Sequence, residues 1–289
     1  MNRRPDASAI LEIILTLPVV VGSAGVMSLI GRAVWPEQVW VVPAVWGLCG
    51  LTLLIRVMDN GLGWVMFTMR RPSPLELTQL QPPWKTVCQK ARIDSDDYLL
   101  WIEQSKGLNA SAAGGRIVAV TKEALRRPPD VLEAILAHEL GHHLSGHARI
   151  GVLRWWYELP ARLSFLAVRL VAKALLTVVR SIAQIRHGVD VLISTVLTLG
   201  LLAGLLYLNP WLVAGPALSP VMAWSRRLAE YRADRTAADL GYRDTLIKEL
   251  RRWQAARGGD NRSWLARVFA SHPAEIDRVK RLLQRARHW

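Results

Sequence analysis

The run AILAHELGHHLSGH, Ala134 to His147, puts four histidines and a glutamate into one apolar, helix-like stretch. An α-helix turns by about 100° per residue, so His138 and His142 stand about 40° apart and present their rings side by side. Two ligands of one tetrahedral metal need that geometry. His143 and His147 fall on the other face, within about 60° of Leu140, and are assigned to packing or to hydrogen bonds beneath the helix. Glu139 lies between the first pair and completes H-E-x-x-H, two imidazoles for zinc and a carboxylate angled toward a water held there.

Two imidazoles leave a catalytic zinc one protein ligand short if the fourth position is kept for water. The H-x-x-G-x-x-H continuation that supplies a third histidine is absent, because Gly146 and His147 do not complete it. A carboxylate on a later helix is the other common solution. RLAEYRADRTAADLG offers Glu230 and Asp234, four residues apart on one face. Glu230 can ligate while Asp234 accepts the free ring N–H of a zinc histidine, and Ala233 and Ala237 leave room for the first helix to approach. The competing reading of these two acids is a solvated charge pattern.

The histidine helix must start after Pro128 and Pro129, with Asp130 as cap and Glu133 three residues on, the signature of a capping box. Leu132, Leu136, Leu140 and Leu144 recur every four residues and give it a buried stripe. Before it, YLLWIEQ and GRIVAVT read as strands separated by SKGLNASAAG, and RPSPLELTQLQPPWK reads as a connector. After Pro220, MAWSRRLAEYRADRTAADLG reads as a helix stopped by Gly241, followed by RDTLIKELRRWQAAR and a final helix from Pro273 to about Arg287.

The composition is 51% hydrophobic with 13 Trp, high for a soluble protein of 289 residues, and it points to a membrane. Ala9 to Gly31 and Val39 to Val57 are each long enough to cross a hydrocarbon core and read as a hairpin. Arg3, Arg4, Arg56, Arg70 and Arg71 flank it against Arg32 alone between the spans, which puts both ends in the cytoplasm. Val191 to Leu208 is a further span. Ala161 to Arg180 carries Arg162, Arg169, Lys173 and Arg180 along one face, either a basic helix lying on the bilayer or a poor span. Because the two ligand-bearing helices must meet at one ion, the chain between them crosses an even number of times or not at all, and two crossings are favoured.

The net charge of +14 is spread along the chain and flanks apolar runs, so it is read as attraction to anionic lipid; no stacking or basic recognition segment accompanies it, and nucleic-acid binding is excluded from the reading. Two cysteines, Cys49 and Cys88, give no disulfide framework.

Together AHELGHH, EYRAD and the late SHPAEIDR resemble the gluzincin membrane peptidases, the HtpX-like and CAAX prenyl protease-like family. The resemblance implies a mainly α fold with a small β-sheet (α+β), in a multi-span helical membrane protein carrying a gluzincin-like zinc peptidase domain. Its expected parts are a transmembrane hairpin (1–71), a first peptidase segment (72–150), a membrane-associated insertion (151–216) and a second peptidase segment (217–289). It implies one zinc ion per chain held by His138, His142 and Glu230, with Glu139 as general base and Asp234 behind the ligands. It further implies that Asn109 and Ala110, in NASAAG, meet the substrate backbone, that His272 stabilises the oxyanion, and that Arg278 organises that end of the substrate site. Ser111 stands where the family carries an aromatic. The implied activity is endopeptidase cleavage of polypeptides, in damaged or unassembled membrane proteins, on the cytoplasmic side of a bacterial inner membrane. Two other classes remain beside it, a non-proteolytic zinc-binding scaffold and a lipid-surface regulator using the basic helix. Glu139 separates them, because a structural metal has no need of a base.

Overall fold

The computed structural model describes residues 7–55, 58–66, 69–105, 107, 109–183, 187–256 and 263–285. Arg3, Arg4 and Arg56, used above for orientation, lie outside them. The described chain is mainly helical and divides into two units. One comprises Met1–Ile14, Leu51–Leu153 and Ser219–Trp289, and the other Leu15–Gly50 and Arg154–Leu218.

The elements of the second unit begin with α1 (Ala7–Val34), whose first residues belong to the other unit, and α2 (Val41–Thr52). The apolar segment that reads as a second span forms in α2 only 12 residues of helix, about 18 Å against a hydrocarbon core of about 30 Å. The helix tightens into i→i+3 bonds, Leu54 N to Leu51 O (3.1 Å) and Ile55 N to Thr52 O (2.9 Å). A new helix, α3 (Met58–Met66), follows. Its Asp59, two residues beyond the apolar run, is buried and accepts the Gly115 amide at 3.1 Å.

The rest of this unit comes from the long α7 (His147–Ala183) beyond Leu153, from α8 (His187–Leu208) and from the chain after it to Leu218. The small residues inside the first span have a packing use. Asn209 Nδ2 donates to Gly22 O at 2.7 Å, and a Cβ on Gly25 would fall 2.5 Å from the same side chain. Only backbone without side chains admits that approach. Arg162, Arg169, Lys173 and Arg180 are exposed on α7, among equally exposed Leu163, Leu166 and Leu170. Among the described residues, Ala9–Val34 and Val191–Leu208 are the two segments long and apolar enough to cross a membrane.

The other unit carries a four-stranded sheet in the order β1-β2-β4-β3: β1 (Met69–Arg70), β2 (Leu99–Glu103), β3 (Ala110–Ala113) and β4 (Ile117–Thr121). β2 and β4 are parallel, and β3 is antiparallel to β4 with Ala110 opposite Val120 and Ala112 opposite Val118. β4 is buried at every residue, as a central strand should be.

RPSPLELTQLQPPWK is not a connector: it opens the helix α4 (Pro74–Ala91). Ser73 caps it, accepting from Glu76 N while Glu76 reaches back to Ser73 N, and Pro74 takes the first turn, where no N–H is needed. Arg70 closes on the same glutamate. Leu80, Trp84, Val87 and Cys88 then enter the core.

After the short α5 (Lys122–Leu125), α6 (Pro129–Leu144) carries the histidines. Its start differs from the expected capping box. Pro128 is the cap residue, Pro129 fills the first position with its preset φ, and no side chain caps. Glu133 is thereby free to accept the Tyr242 hydroxyl at 2.8 Å. Leu132, Leu136, Leu140 and Leu144 form the buried stripe against α4, Leu246 and Leu250. The helix stops at Ser145-Gly146, where Gly146 takes φ 84° and donates to His143 O at 3.2 Å. His147 therefore starts α7 and does not share the face computed for one continuous helix.

The chain returns through α9 (Ala214–Ala237), which begins six residues before Pro220 and keeps that proline inside. A turn in which Gly241 has φ 91° leads to α10 (Arg243–Ala256), then α11 (Trp264–Phe269) and α12 (Glu275–Arg285).

Candidate metal centre and cleft

α6 and α9 meet at Gly141. A Cβ there would lie 2.7 Å from Ala233 Cα and 3.1 Å from Ala233 O, so the two helices touch backbone to backbone. Ala233 and Ala237 are buried, as their small size requires. Gly141→Ala should force the helices apart, cost about 1–3 kcal/mol of stability and weaken metal retention. A melting curve and a zinc assay on the purified variant check this; an unchanged melting temperature with full metal content would contradict the contact.

That contact brings three donors to one point. His138, His142 and Glu230 each offer an atom, all within 4.8 Å of one another. Glu230 bridges the imidazoles, with its two carboxylate oxygens 3.5 Å from His138 Nε2 and 3.5 Å from His142 Nε2. Ligands at about 2.0–2.1 Å from a tetrahedral zinc stand about 3.4 Å apart, so both the spacing and the two-nitrogen, one-oxygen donor set fit that ion.

The polar groups behind the donors are ordered in turn. Asp234 lies 2.9 Å from His138 Nδ1, which leaves Nε2 facing Glu230. Arg278 grips Asp234 through two nitrogens, Nε to Oδ2 at 2.8 Å and Nη2 to Oδ1, and its Nη1 lies 3.6 Å from Glu230. Burial alone would raise the Asp234 carboxyl, but Arg278 and His138 hold it below its usual range. Burial likewise opposes charge on Glu230, and the hydrogen bonds from His138 and His272 overcome it, holding that carboxyl well below its ordinary value. At His138 burial disfavours the cation, yet the bonds to Asp234 and Glu230 win and raise the ring to about 10. At His142 burial outweighs the attraction of Glu230 and pushes the ring down to about 3.

Glu139 is buried beside this cluster, and burial pushes its carboxyl up to about 7; the Ala112 amide on β3 works the other way by hydrogen-bonding it. Asn109 pairs with Thr121 on β4, so alternation along the strand turns the Ala110 and Ala112 amides outward. Among the described residues no further strand pairs with that edge.

These groups line a cleft of about 1010 Å³. Asn109 and Ala110 are among its lining residues. The Asn109 amide donates to Glu103 at 3.0 Å, and Ser111 Oγ joins the same carboxylate at 3.2 Å. His272 is exposed in the cleft, with Nδ1 3.1 Å from Glu230. Arg278 reaches the cleft but is largely committed to Asp234 and Glu230. His143 packs beneath the helix, donating to the Ile117 carbonyl at 2.8 Å. His147 lines the cleft, with Nδ1 2.9 Å from Ser145 Oγ and Nε2 4.0 Å from Glu12. Sequence reading leaves out Arg127, Ile135, Leu246, Trp253 and Glu275, which also line it. Ile135 was findable, because it lies one turn before His138 on the same face; nothing local marks the others.

The profile of peptidase family M48 matches residues 74–286. The Protease HtpX of Stutzerimonas stutzeri (strain A1501) is 30% identical over 205 residues, covering 61% of this chain and 63% of that protein. The Protease HtpX homolog of Nitrosomonas eutropha is 25% identical over 285 residues, 93% of this chain and 85% of its own. The chain thus spans less than two thirds of the first of these relatives. Among solved structures, S. mikatae Ste24p is similar at 17% identity and a TM-score of 0.49, covering 97% of this chain and 67% of its own. With the family's profile running from α4 through α6 and α9 to α12, the chain belongs to peptidase family M48.

Proposed function

We propose that this chain is a membrane-anchored zinc endopeptidase that holds one zinc through His138, His142 and Glu230. The observation that carries the reading is the convergence of these three donors, with Glu139 buried next to them and an open strand edge alongside. Zinc bound there supplies Lewis acidity to the attacking water and to the scissile carbonyl. Glu139 takes the proton from that water as its oxygen bonds to the carbonyl carbon, and hands a proton to the amine nitrogen as the C–N bond breaks. Asp234 fixes the His138 tautomer by accepting Nδ1–H, and Arg278, bound to Asp234, acts as a positioning residue. His272, exposed in the cleft, donates to the developing oxyanion. Asn109 and Ala110 border the polypeptide, which lies along β3 as an added strand.

The two apolar segments Ala9–Val34 and Val191–Leu208 anchor the chain in the bilayer. The family resemblance favours a peptidase domain facing the cytoplasm of a bacterial inner membrane, with membrane proteins as substrates. Metal removal tests the core of the reading. Protein purified in detergent should contain about one zinc per chain and cleave casein; a chelator should abolish both, and added zinc should restore both. Cleavage that persists after the zinc content falls to zero would remove the metal from the chemistry.

A further inference from the structure

β3 borders the cleft through Asn109, Ala110, Ser111 and Ala112 at and beside the strand. Registered neighbours in a sheet share a face, and so do residues two apart along a strand. Glu103 on β2 stands opposite Thr121 on β4, and Ser111 stands opposite Ala119, two residues from Thr121. Glu103, Thr121, Ala119 and Ser111 therefore share one face, and Asn109 joins them. Hydrogen bonds tie the group together. The Glu103 carboxylate accepts from Ser105 Oγ at 2.7 Å, from Asn109 Nδ2 at 3.0 and 3.2 Å, and from Ser111 Oγ at 3.2 Å. Asn109 and Ser111 line the cleft, so this acid is one hydrogen bond from the cleft surface at two points.

Every one of these partners is neutral. Among the described residues no Lys, Arg or His pairs with Glu103, in a chain with 37 Lys and Arg against 23 Asp and Glu. The group is also open to water: Asn109 and Ser105 are exposed, and Glu103 and Ser111 are half-buried. A half-buried charge attracts its opposite more strongly than a fully solvated one, because less water screens it.

The free edge of β3 brings side chains to this place. The Ala110 amide points away from β4, and a polypeptide paired there puts alternate side chains on the face of Asn109 and Ser111. Their Cβ atoms stand about 5 Å from those opposite. The four-carbon stem of Lys or the fork of Arg bridges that gap past a serine, and shorter side chains stop before it.

We propose that Glu103 is a specificity-determining residue that, with Asn109 and Ser111, forms an acidic subsite for a Lys or Arg side chain of the polypeptide lying along β3. The proposal rests on the peptidase reading for the presence of a polypeptide on that edge.

Binding tests it without turnover. Zinc-loaded Glu139→Gln protein in uncharged detergent is titrated with fluorescent alanine-based decapeptides that carry one Lys or one acetyl-lysine at successive positions. The two differ in charge and keep the same stem. General repulsion by the basic chain acts at every position and cancels in the comparison between positions. At one position Lys should bind about fivefold more tightly, the upper end for an opposite-charge pair across strands. Adding Glu103→Gln keeps the volume and a carbonyl acceptor for Asn109, and should erase the advantage while zinc content and melting temperature hold. Glu275→Gln, at another acid lining the cleft, should leave it intact. Equal affinities at every position, an advantage that survives Glu103→Gln, or one that disappears with Glu275→Gln would each overturn the proposal. So would a Glu103→Gln variant that weakens the Lys and acetyl-lysine peptides alike, the behaviour of a residue that only orders Asn109. Failure of the peptidase reading has a different signature: wild type with zinc that leaves uncut the peptides its Glu139→Gln variant binds with the Lys preference.

Discussion

Protein carrying Glu139→Gln should keep its zinc and lose casein cleavage by about a thousandfold. Glutamine has the shape of the acid and still accepts from the Ala112 amide, and burial already disfavours the charged form of Glu139. The swap therefore leaves packing and the three donors in place while removing the only step that needs a proton acceptor at this point. Metal content, melting temperature and turnover measured on one preparation separate the outcomes. Equal cleavage by wild type and variant would remove Glu139 from the chemistry, and loss of zinc would show that the side chain holds the metal rather than the proton.

The second large effect is expected at Glu230. Glu230→Ala removes one of three donors, and zinc affinity should fall by at least about a hundredfold, more than loss of an outer partner typically costs. It also strips His138, His272 and Arg278 of a shared carboxylate. Breaking a buried ion-pair network from one side costs about 3–5 kcal/mol, so the metal-free variant should melt well below metal-free wild type. Glu230→Gln separates the two losses, because it keeps the volume and a carbonyl acceptor. It should melt closer to wild type yet bind zinc poorly in a titration of stripped protein. Full zinc occupancy in Glu230→Gln would take this residue out of the ligand set.

Local periodicity made much of the centre legible. His138 and His142, and again Glu230 and Asp234, are spaced four apart, and helical geometry alone puts each pair on one face. Ala233 and Ala237 announced a close helix approach, and Gly141 is its counterpart. The strands around Leu99–Glu103 and Ile117–Thr121 were visible in their β-branched and aromatic content. What escaped was decided by competition between signals or by contacts remote in sequence. Prolines in RPSPLELTQLQPPWK hid a capping box at Ser73 and Glu76, and Pro129 displaced the one expected at Asp130. The apolar run through Val57 did not predict that Asp59 would be drawn to Gly115. Ser145-Gly146 ended α6 one step before His147 and moved that ring into the cleft. Arg127, Leu246 and Trp253 reach the same cavity from segments more than a hundred residues apart, and no local pattern records such a meeting.

On the proposed reading, the outward edge of β3, where the Ala110 amide points away from β4, has a consequence for which proteins are vulnerable. Main-chain pairing along a bare edge is blind to side-chain identity, so whatever docks there must bring an extended segment whose own amides are unspoken for. A domain with its hydrogen bonds already made offers no such ribbon; a nascent, orphaned or heat-loosened chain does. On the proposed reading, conformation decides who is admitted, and residue choice only tunes where the cut falls.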